Sequence, residues 1–252
     1  MRKRAVPVSG VLALSLALLV SAGGAGLTGC REVAEAPLTL QVPWAAGEVT
    51  TLSMHQGEGG PIIGDWTMRV ESVPEGEGWL LVSSLNIPSA PYSLNTTVRV
   101  GAEDLLPVHV DFELLNFQGT VTYTAEYGEG KVAVDADVRG EPQSFEIRLP
   151  DSPYFDNEQF IMTLRAMPLA DGWSATLNNI ITATASKRAV RVEVVRREDL
   201  TVPAGTYSCW VVELVGASQR VWIAVDWPYP IVKFVNDSSR LVALLESYEP
   251  GE

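Results

Sequence analysis

Between Lys131 and Arg139 the chain alternates, with Val132, Val134, Ala136 and Val138 on one parity and Lys131, Asp135, Asp137 and Arg139 on the other. Successive side chains of a strand point to opposite faces, so this segment needs a core on one side and water on the other. The same period sets Val121, Tyr123 and Ala125 against Thr120, Thr122 and Thr124, and Val190, Val192 and Val194 against Arg191 and Glu193. Further β-rich runs are Glu48–Gln56, Ile62–Val73, Trp79–Ile87, Tyr92–Val100, Val108–Phe117, Gln143–Leu149, Trp173–Thr184, Tyr207–Val215, Arg220–Asp226, Ile231–Val235 and Leu241–Tyr248. Strands recurring roughly every ten residues with turn residues between them mark an all-β chain. Pro74-Glu75-Gly76-Glu77-Gly78 and Tyr127-Gly128-Glu129-Gly130 read as loops, and Val202-Pro203-Ala204-Gly205 as a tight turn.

One segment departs from this period. Phe160, Ile161, Leu164 and Met167 recur at helical spacing, Asp156 and Gln159 have the spacing of a capping box, and Pro168 stops the run. A helix of about three turns, packed on the sheet, is expected here. No linker, low-complexity tract or heptad divides the chain after Pro37. The expectation for 38–252 is therefore one mainly β domain, a large curved antiparallel sheet or half-open barrel with one amphipathic helix.

Charge narrows the partners. The 252 residues carry a net charge of −13, but the first 29 hold three bases and no acid, which leaves 15 bases against 31 acids, a net −16, in the remainder. So acidic a body repels phosphate backbones and anionic headgroups, which argues against nucleic acid as a partner and requires membrane contact to come from apolar groups.

The amino terminus supplies such groups. Arg2-Lys3-Arg4 precedes an apolar run from Val11 to Val20, which is short for a membrane span but suits the core of an export signal, and small residues follow at once. Leu27-Thr28-Gly29-Cys30 then resembles the lipobox of bacterial lipoproteins, with Leu27, Thr28 and Gly29 as the signal-peptidase recognition residues. That resemblance implies a diacylglyceryl group on the Cys30 thiol and cleavage before it, making 1–29 a signal peptide. Two or three acyl chains, at about 0.8 kcal/mol per buried methylene, anchor stably where one would not. Residues 30–37 read as a short tether whose seven residues after Cys30 reach at most about 24 Å. The expected location is the cell envelope, on the extracytoplasmic side of a membrane.

Only two cysteines exist. With Cys30 acylated, Cys209 has no partner for a disulfide and reads as a small buried hydrophobe within the apolar run Tyr207–Val215.

The search for reactive constellations yields little. His55 and His109 are the only imidazoles, with no metal-ligand spacing between them, and no cofactor is expected. Gly57-Glu58-Gly59-Gly60 lacks the Lys of a phosphate loop and reads as a hairpin turn. Asp135 and Asp137 project from one strand face about 7 Å apart, a separation that glycosidases use, yet alternation with Lys131 and Arg139 marks that face as solvated. Asp156-Asn157-Glu158 could be a calcium loop, but a helix start explains it without a metal.

From Tyr154 to about Leu245 an ordered set of motifs appears. Leu164-Arg165-Ala166-Met167-Pro168-Leu169 is followed by Val202-Pro203-Ala204-Gly205-Thr206-Tyr207, then Cys209 to Glu213, Trp222, Tyr229-Pro230-Ile231-Val232-Lys233-Phe234 and Arg240-Leu241. This order resembles the domain-of-unknown-function 3108 family of exported bacterial proteins. The resemblance implies an extracytoplasmic β-rich fold related to the open half-barrels of lipoprotein-carrier proteins, and implies no catalytic residue.

Several carboxy-terminal strands are apolar on both faces, and aromatic residues cluster there. Trp210, Trp222 and Phe234 are accordingly the candidate lining of a site for an apolar small molecule or lipid. The leading expectation is a non-enzymatic, acyl-anchored lipoprotein of this kind. Its rivals are an envelope glycan hydrolase using Asp or Glu residues and a protein-interaction module in envelope assembly.

Overall fold

The computed structural model describes residues 38–74, 77–151 and 153–252. The expected signal peptide, the Leu27–Cys30 segment and the tether lie outside the described residues.

The strands are β1 (Val49–Gln56), β2 (Ile62–Ser72), β3 (Trp79–Ile87), β4 (Tyr92–Val100), β5 (Pro107–Asn116), β6 (Gly119–Gly128), β7 (Lys131–Val138), β8 (Glu141–Arg148) and β9 (Tyr154–Asp156). Helix α1 (Asn157–Thr163) and a 3-10 turn, Leu164–Ala166, separate these from β10 (Ser174–Ile181), β11 (Ser186–Val202), β12 (Gly205–Val215), β13 (Gln219–Ala224), β14 (Ile231–Asn236) and β15 (Leu241–Glu249). All belong to one sheet in the order β8-β7-β6-β5-β4-β3-β2-β1-β15-β14-β13-β12-β11-β10-β9. Two antiparallel meanders, β1–β8 and β10–β15, thus lie side by side, joined where the first strand pairs with the last, Leu52 opposite Leu245 and Met54 opposite Ala243, and β9 adds to β10 in parallel.

The sheet rolls because its apolar parities all need the same interior. β9 touches β5, and α1 touches β3, β4 and β10, although these strands come from distant parts of the sheet. A flat sheet cannot bring them together, whereas a twisted and coiled one can. We call the enclosed space the lumen. Among the described residues no backbone ladder joins β8 to β9, so the barrel is not closed. Side chains span the seam instead. Tyr127 of β6 stacks on Tyr154 of β9, with centroids 6.1 Å apart, and Lys187 donates to the Arg148 carbonyl at 3.2 Å. The free edge β8 carries Pro142 and the charged Glu141, Glu146 and Arg148, which discourage pairing with another chain.

The strands of the first meander keep one wet face, as β5 from Val110 onward and β7 up to Asp135 show by alternation of buried and exposed residues. In the second meander β14 is buried at all six positions. Its outer cover is the β11–β12 hairpin. Beyond the register shift between Val194 and Arg196 the hairpin tip turns over the outer face, and the Ala204 N–H donates to the Leu245 carbonyl at 3.1 Å. Beneath it Val202, Cys209, Val211, Trp222, Val232, Val235, Val242 and Leu245 form a second apolar cluster. The Val202–Gly205 turn of the sequence motif is therefore the tip of a flap.

The helix is shorter than its periodicity predicts. Seven residues are α-helical, the next three tighten into the 3-10 turn, and Met167 is already extended because the ring of Pro168 excludes a helical residue before it. β11, at 17 residues, is longer than the alternation at Val190–Val194 suggested, and Thr182–Thr184 form a 3-10 turn where a strand was expected.

Candidate functional site

The most chemically loaded region is the lumen end of α1. Asp156 caps the helix by accepting from the Glu158 amide at 2.8 Å, and Gln159 reaches back to the Asp156 amide at 3.4 Å, the capping box that the sequence predicts. The other Asp156 oxygen accepts from the Tyr127 hydroxyl at 2.5 Å and the Thr182 hydroxyl at 2.8 Å. Asp156 thus ties the helix start both to β6 across the seam and to the β10–β11 connection. Gln159 also donates to the carbonyl of Leu105 at 2.9 Å, holding the β4–β5 loop against the helix.

Glu158, one residue into the helix, behaves differently. It is half-buried and lines a cavity of about 30 Å³ between α1 and strands β2–β4, together with Trp66, Met68, Ser83, Leu85, Leu94, Asn157, Ile161 and Met162. Asn157 donates to its carboxylate at 2.9 Å and accepts in turn from Asn179 at 3.2 Å. Burial, and then the neighbouring Asp156 charge, push the Glu158 carboxyl up to about 7. Burial also raises Asp156, against the opposing hydrogen bonds from Tyr127, the Glu158 amide and Thr182. Burial, followed by the Glu158 charge, likewise raises Tyr123, whose hydroxyl makes no hydrogen bond, nor does the buried Thr96 hydroxyl on the same lumen face. This arrangement can take up and release one proton near neutral pH in an otherwise apolar interior.

The far end of the helical segment is a fixed point. Arg165, buried in the 3-10 turn, makes a bidentate pair with buried Glu48, at 2.5 and 3.0 Å, and donates to the carbonyls of Tyr229 and Pro228, each at 2.9 Å. Tyr248 donates to Glu48 at 2.8 Å, and Trp44 lies 5.6 Å beneath the guanidinium. Two motifs of the sequence, around Arg165 and Tyr229, 64 residues apart, therefore meet in one knot. Sequence reasoning missed Glu48 and Trp44, because nothing local marks a partner 117 residues away.

The sequence-selected residues are dispersed. Trp210 and Phe234 belong to the lumen cluster, whereas Trp222 belongs to the outer cluster, so the three do not share one lining. Trp222 lies between Lys233, 4.9 Å away, and Arg220, 5.7 Å away, and Lys233 reaches Glu58 of the β1–β2 turn at 2.9 Å. Asp135 accepts from Ser144, and Asp137 caps the turn at Gly140, both on the exposed outer face. His55 bonds to Ser53 and the Gly60 carbonyl, while His109 lies between Asp111 and Glu126; burial opposes its protonation, but these two carboxylates outweigh it and raise the imidazole. Among the described residues no group of three or more His, Cys, Asp or Glu side chains could hold a metal. Cys209 is buried beneath the flap, and burial, followed by Glu198 and Asp199, pushes its thiol up to about 12, as suits a packed hydrophobe.

Comparison with known proteins adds a family and a fold. Residues 43–243 match the model of a family described as protein of unknown function (DUF3108). Among curated proteins none matches the chain. A solved structure, a β-barrel-like protein of domain of unknown function DUF1849 from Brucella abortus, is similar at a TM-score of 0.52 and 13% identity, over 83% of this chain and 99% of that one. At that identity the likeness is one of fold.

Proposed function

The chain belongs to the DUF3108 family of proteins of unknown function, and from that premise we propose that it is an extracytoplasmic, non-catalytic lipoprotein, held to a membrane by acyl chains on Cys30, whose rolled sheet receives the apolar chain of a lipid-like ligand in the lumen that α1 occupies. The anchor is supported by the basic start, the short apolar core and the Leu27-Thr28-Gly29-Cys30 sequence, set against a body of net charge −16 that has no electrostatic attraction to a bilayer.

One observation carries the lumen reading. The interior is filled by a separate seven-residue helix and not by closure of the sheet, and the seam beside that helix is spanned by side chains. The residues of α1 itself take part in no ladder, although β9, which leads into it, pairs with β10, and α1 covers Trp66, Met68, Leu85 and Leu94. A protein-interaction module is the second reading, favoured by an open groove of about 640 Å³ on the outer side of β1 and β2, lined in part by Ile62, Ile63 and Pro88.

Intact mass of the protein extracted from its own membrane tests the anchor. A diacylglyceryl adduct on Cys30 is expected, and an unmodified thiol refutes it. Native mass spectrometry of the same extract tests the lumen. Co-purifying lipid that is lost when Leu85 is replaced by Glu supports the reading, and its absence from the wild type leaves the outer groove as the working surface.

A further inference from the structure

We propose that Ser53 is an activated nucleophile that takes an acyl group from a carboxylic ester and keeps it as a serine ester, with the acyl chain lying in the outer groove beside β1 and β2. That groove is separate from the lumen, and the inference does not rest on what enters the lumen.

Ser53 and His55 stand two residues apart on β1, which puts both side chains on one face of the strand. The Ser53 Oγ lies 3.0 Å from His55 Nε2, and on the other side of the ring Nδ1 lies 3.0 Å from the Gly60 carbonyl oxygen. A carbonyl oxygen only accepts, so Nδ1 carries the hydrogen; in the neutral ring Nε2 is then bare, and the Ser53 hydroxyl donates to it. A hydroxyl aimed at a ring nitrogen whose tautomer is fixed by a third group is the arrangement that makes serine nucleophilic. The β1–β2 turn is shaped around this contact. The register shift between Met54 and His55 leaves Ile63 as the extra residue of a bulge, and a side chain at Gly60 would meet the Gln56 carbonyl oxygen at 2.1 Å, so glycine is required where the orienting carbonyl sits.

The groove of about 640 Å³ has Ser53 in its lining together with Ile62, Ile63 and Pro88. Ser53 is buried while Ile62 is 64% exposed, which sets the hydroxyl at the floor and an uncovered apolar surface at the rim, a fit for an aliphatic acyl chain. Asp65 stands opposite Ser53 in the β1–β2 ladder, and Glu246 also lines the groove, so the alcohol part of the ester is neutral or cationic. In the step itself Ser53 Oγ bonds to the ester carbonyl carbon as its proton passes to His55 Nε2; the bond from that carbon to the alcohol oxygen breaks, and the alcohol leaves with the proton from His55. Ester and serine are the only reactants. The acyl chain laid on Ile62, Ile63 and Pro88 covers the new ester and keeps water from its carbonyl carbon, which ends the reaction at one acyl group per protein chain, as a non-catalytic protein requires.

The test uses the exported chain carrying Cys30→Ser, which lacks the competing thiol, mixed with excess p-nitrophenyl octanoate. About one equivalent of nitrophenolate should appear as a burst, and peptide mapping should place an octanoyl group on Ser53. Ser53→Ala should abolish the burst, and His55→Gln should slow it by about 100-fold or more. A burst retained in Ser53→Ala, an unchanged rate in His55→Gln, or no burst in the parent chain overturns the proposal. Release that continues beyond one equivalent overturns it too, and takes the non-catalytic reading with it. Should either variant fail to fold, a fluorophosphonate probe on the Cys30→Ser chain decides; an adduct on Ser53 is expected, and an unlabelled Ser53 overturns the nucleophile. The lumen reading stands or falls separately, since lipid held there is released on denaturation and an acyl ester is not.

Discussion

The two meanders solve the same problem differently. In β1–β8 each strand keeps one face on the lumen and most keep the other in water, so a side chain's parity decides its fate. In β12–β15 both parities are buried, the inner one in the lumen and the outer one beneath the β11–β12 flap. The second half therefore holds two apolar layers back to back across a single sheet, which requires a covering element and a knot to fix it. The first half needs neither, and its outward groove is lined with Ser84, Asn95, Thr97, Thr122 and Thr124 beside Asp111, Glu113 and Asp135.

The knot should be the most sensitive point of this difference. Arg165→Ala leaves Glu48 buried without its cation and should cost about 3–5 kcal/mol in chemical denaturation, while the double change Glu48→Gln with Arg165→Met should recover part of that loss. A loss within about 0.5 kcal/mol for the single variant would mean that the halves are not held as described. Next comes the outer layer itself. Trp222→Ala beneath the flap should destabilise by about 3 kcal/mol or more, as a core truncation does, whereas Thr97→Ala on the outer face of β4 should stay within about 0.5 kcal/mol. Equal effects would erase the contrast between the halves.

The smallest effect belongs to pH. A carboxyl whose folded value is raised binds its proton more tightly in the native state, so its stabilisation is complete below the unfolded value and is lost as pH rises through the folded one. For Glu158 the window runs from about 4.5 to about 7. Stability measured by denaturant midpoint should fall across that window, and Glu158→Gln should remove most of the slope. His109, also raised but at the surface, acts in the same direction from its ordinary 6.5 upward and only weakly.

Much of the first meander was legible because one-sided burial writes itself into alternation, as Lys131–Val138 shows. The capping box at Asp156 was legible for a similar reason, since both of its hydrogen bonds are local. What escaped is non-local. β9, three residues long and parallel to β10, has no pattern of its own and exists because β10 offers it an edge. Trp222 looked like a companion of Trp210 and Phe234 because all three are large and apolar, but parity on β13 turns it outward, and only the flap makes that position dry. Glu158 read as one more acid at a helix start, and its unusual surroundings come from β2, β3 and β4.

The pairing of β1 with β15 sets an order of events during synthesis. Every other neighbour pair within the meanders joins consecutive strands, the cheap kind of contact that forms as soon as both partners have emerged. The first strand alone must wait for the last, nearly two hundred residues later. A nascent chain halted at Arg240 should therefore be two sound half-sheets with raw flanks turned toward each other, and the final nine-residue strand is what makes them one protein.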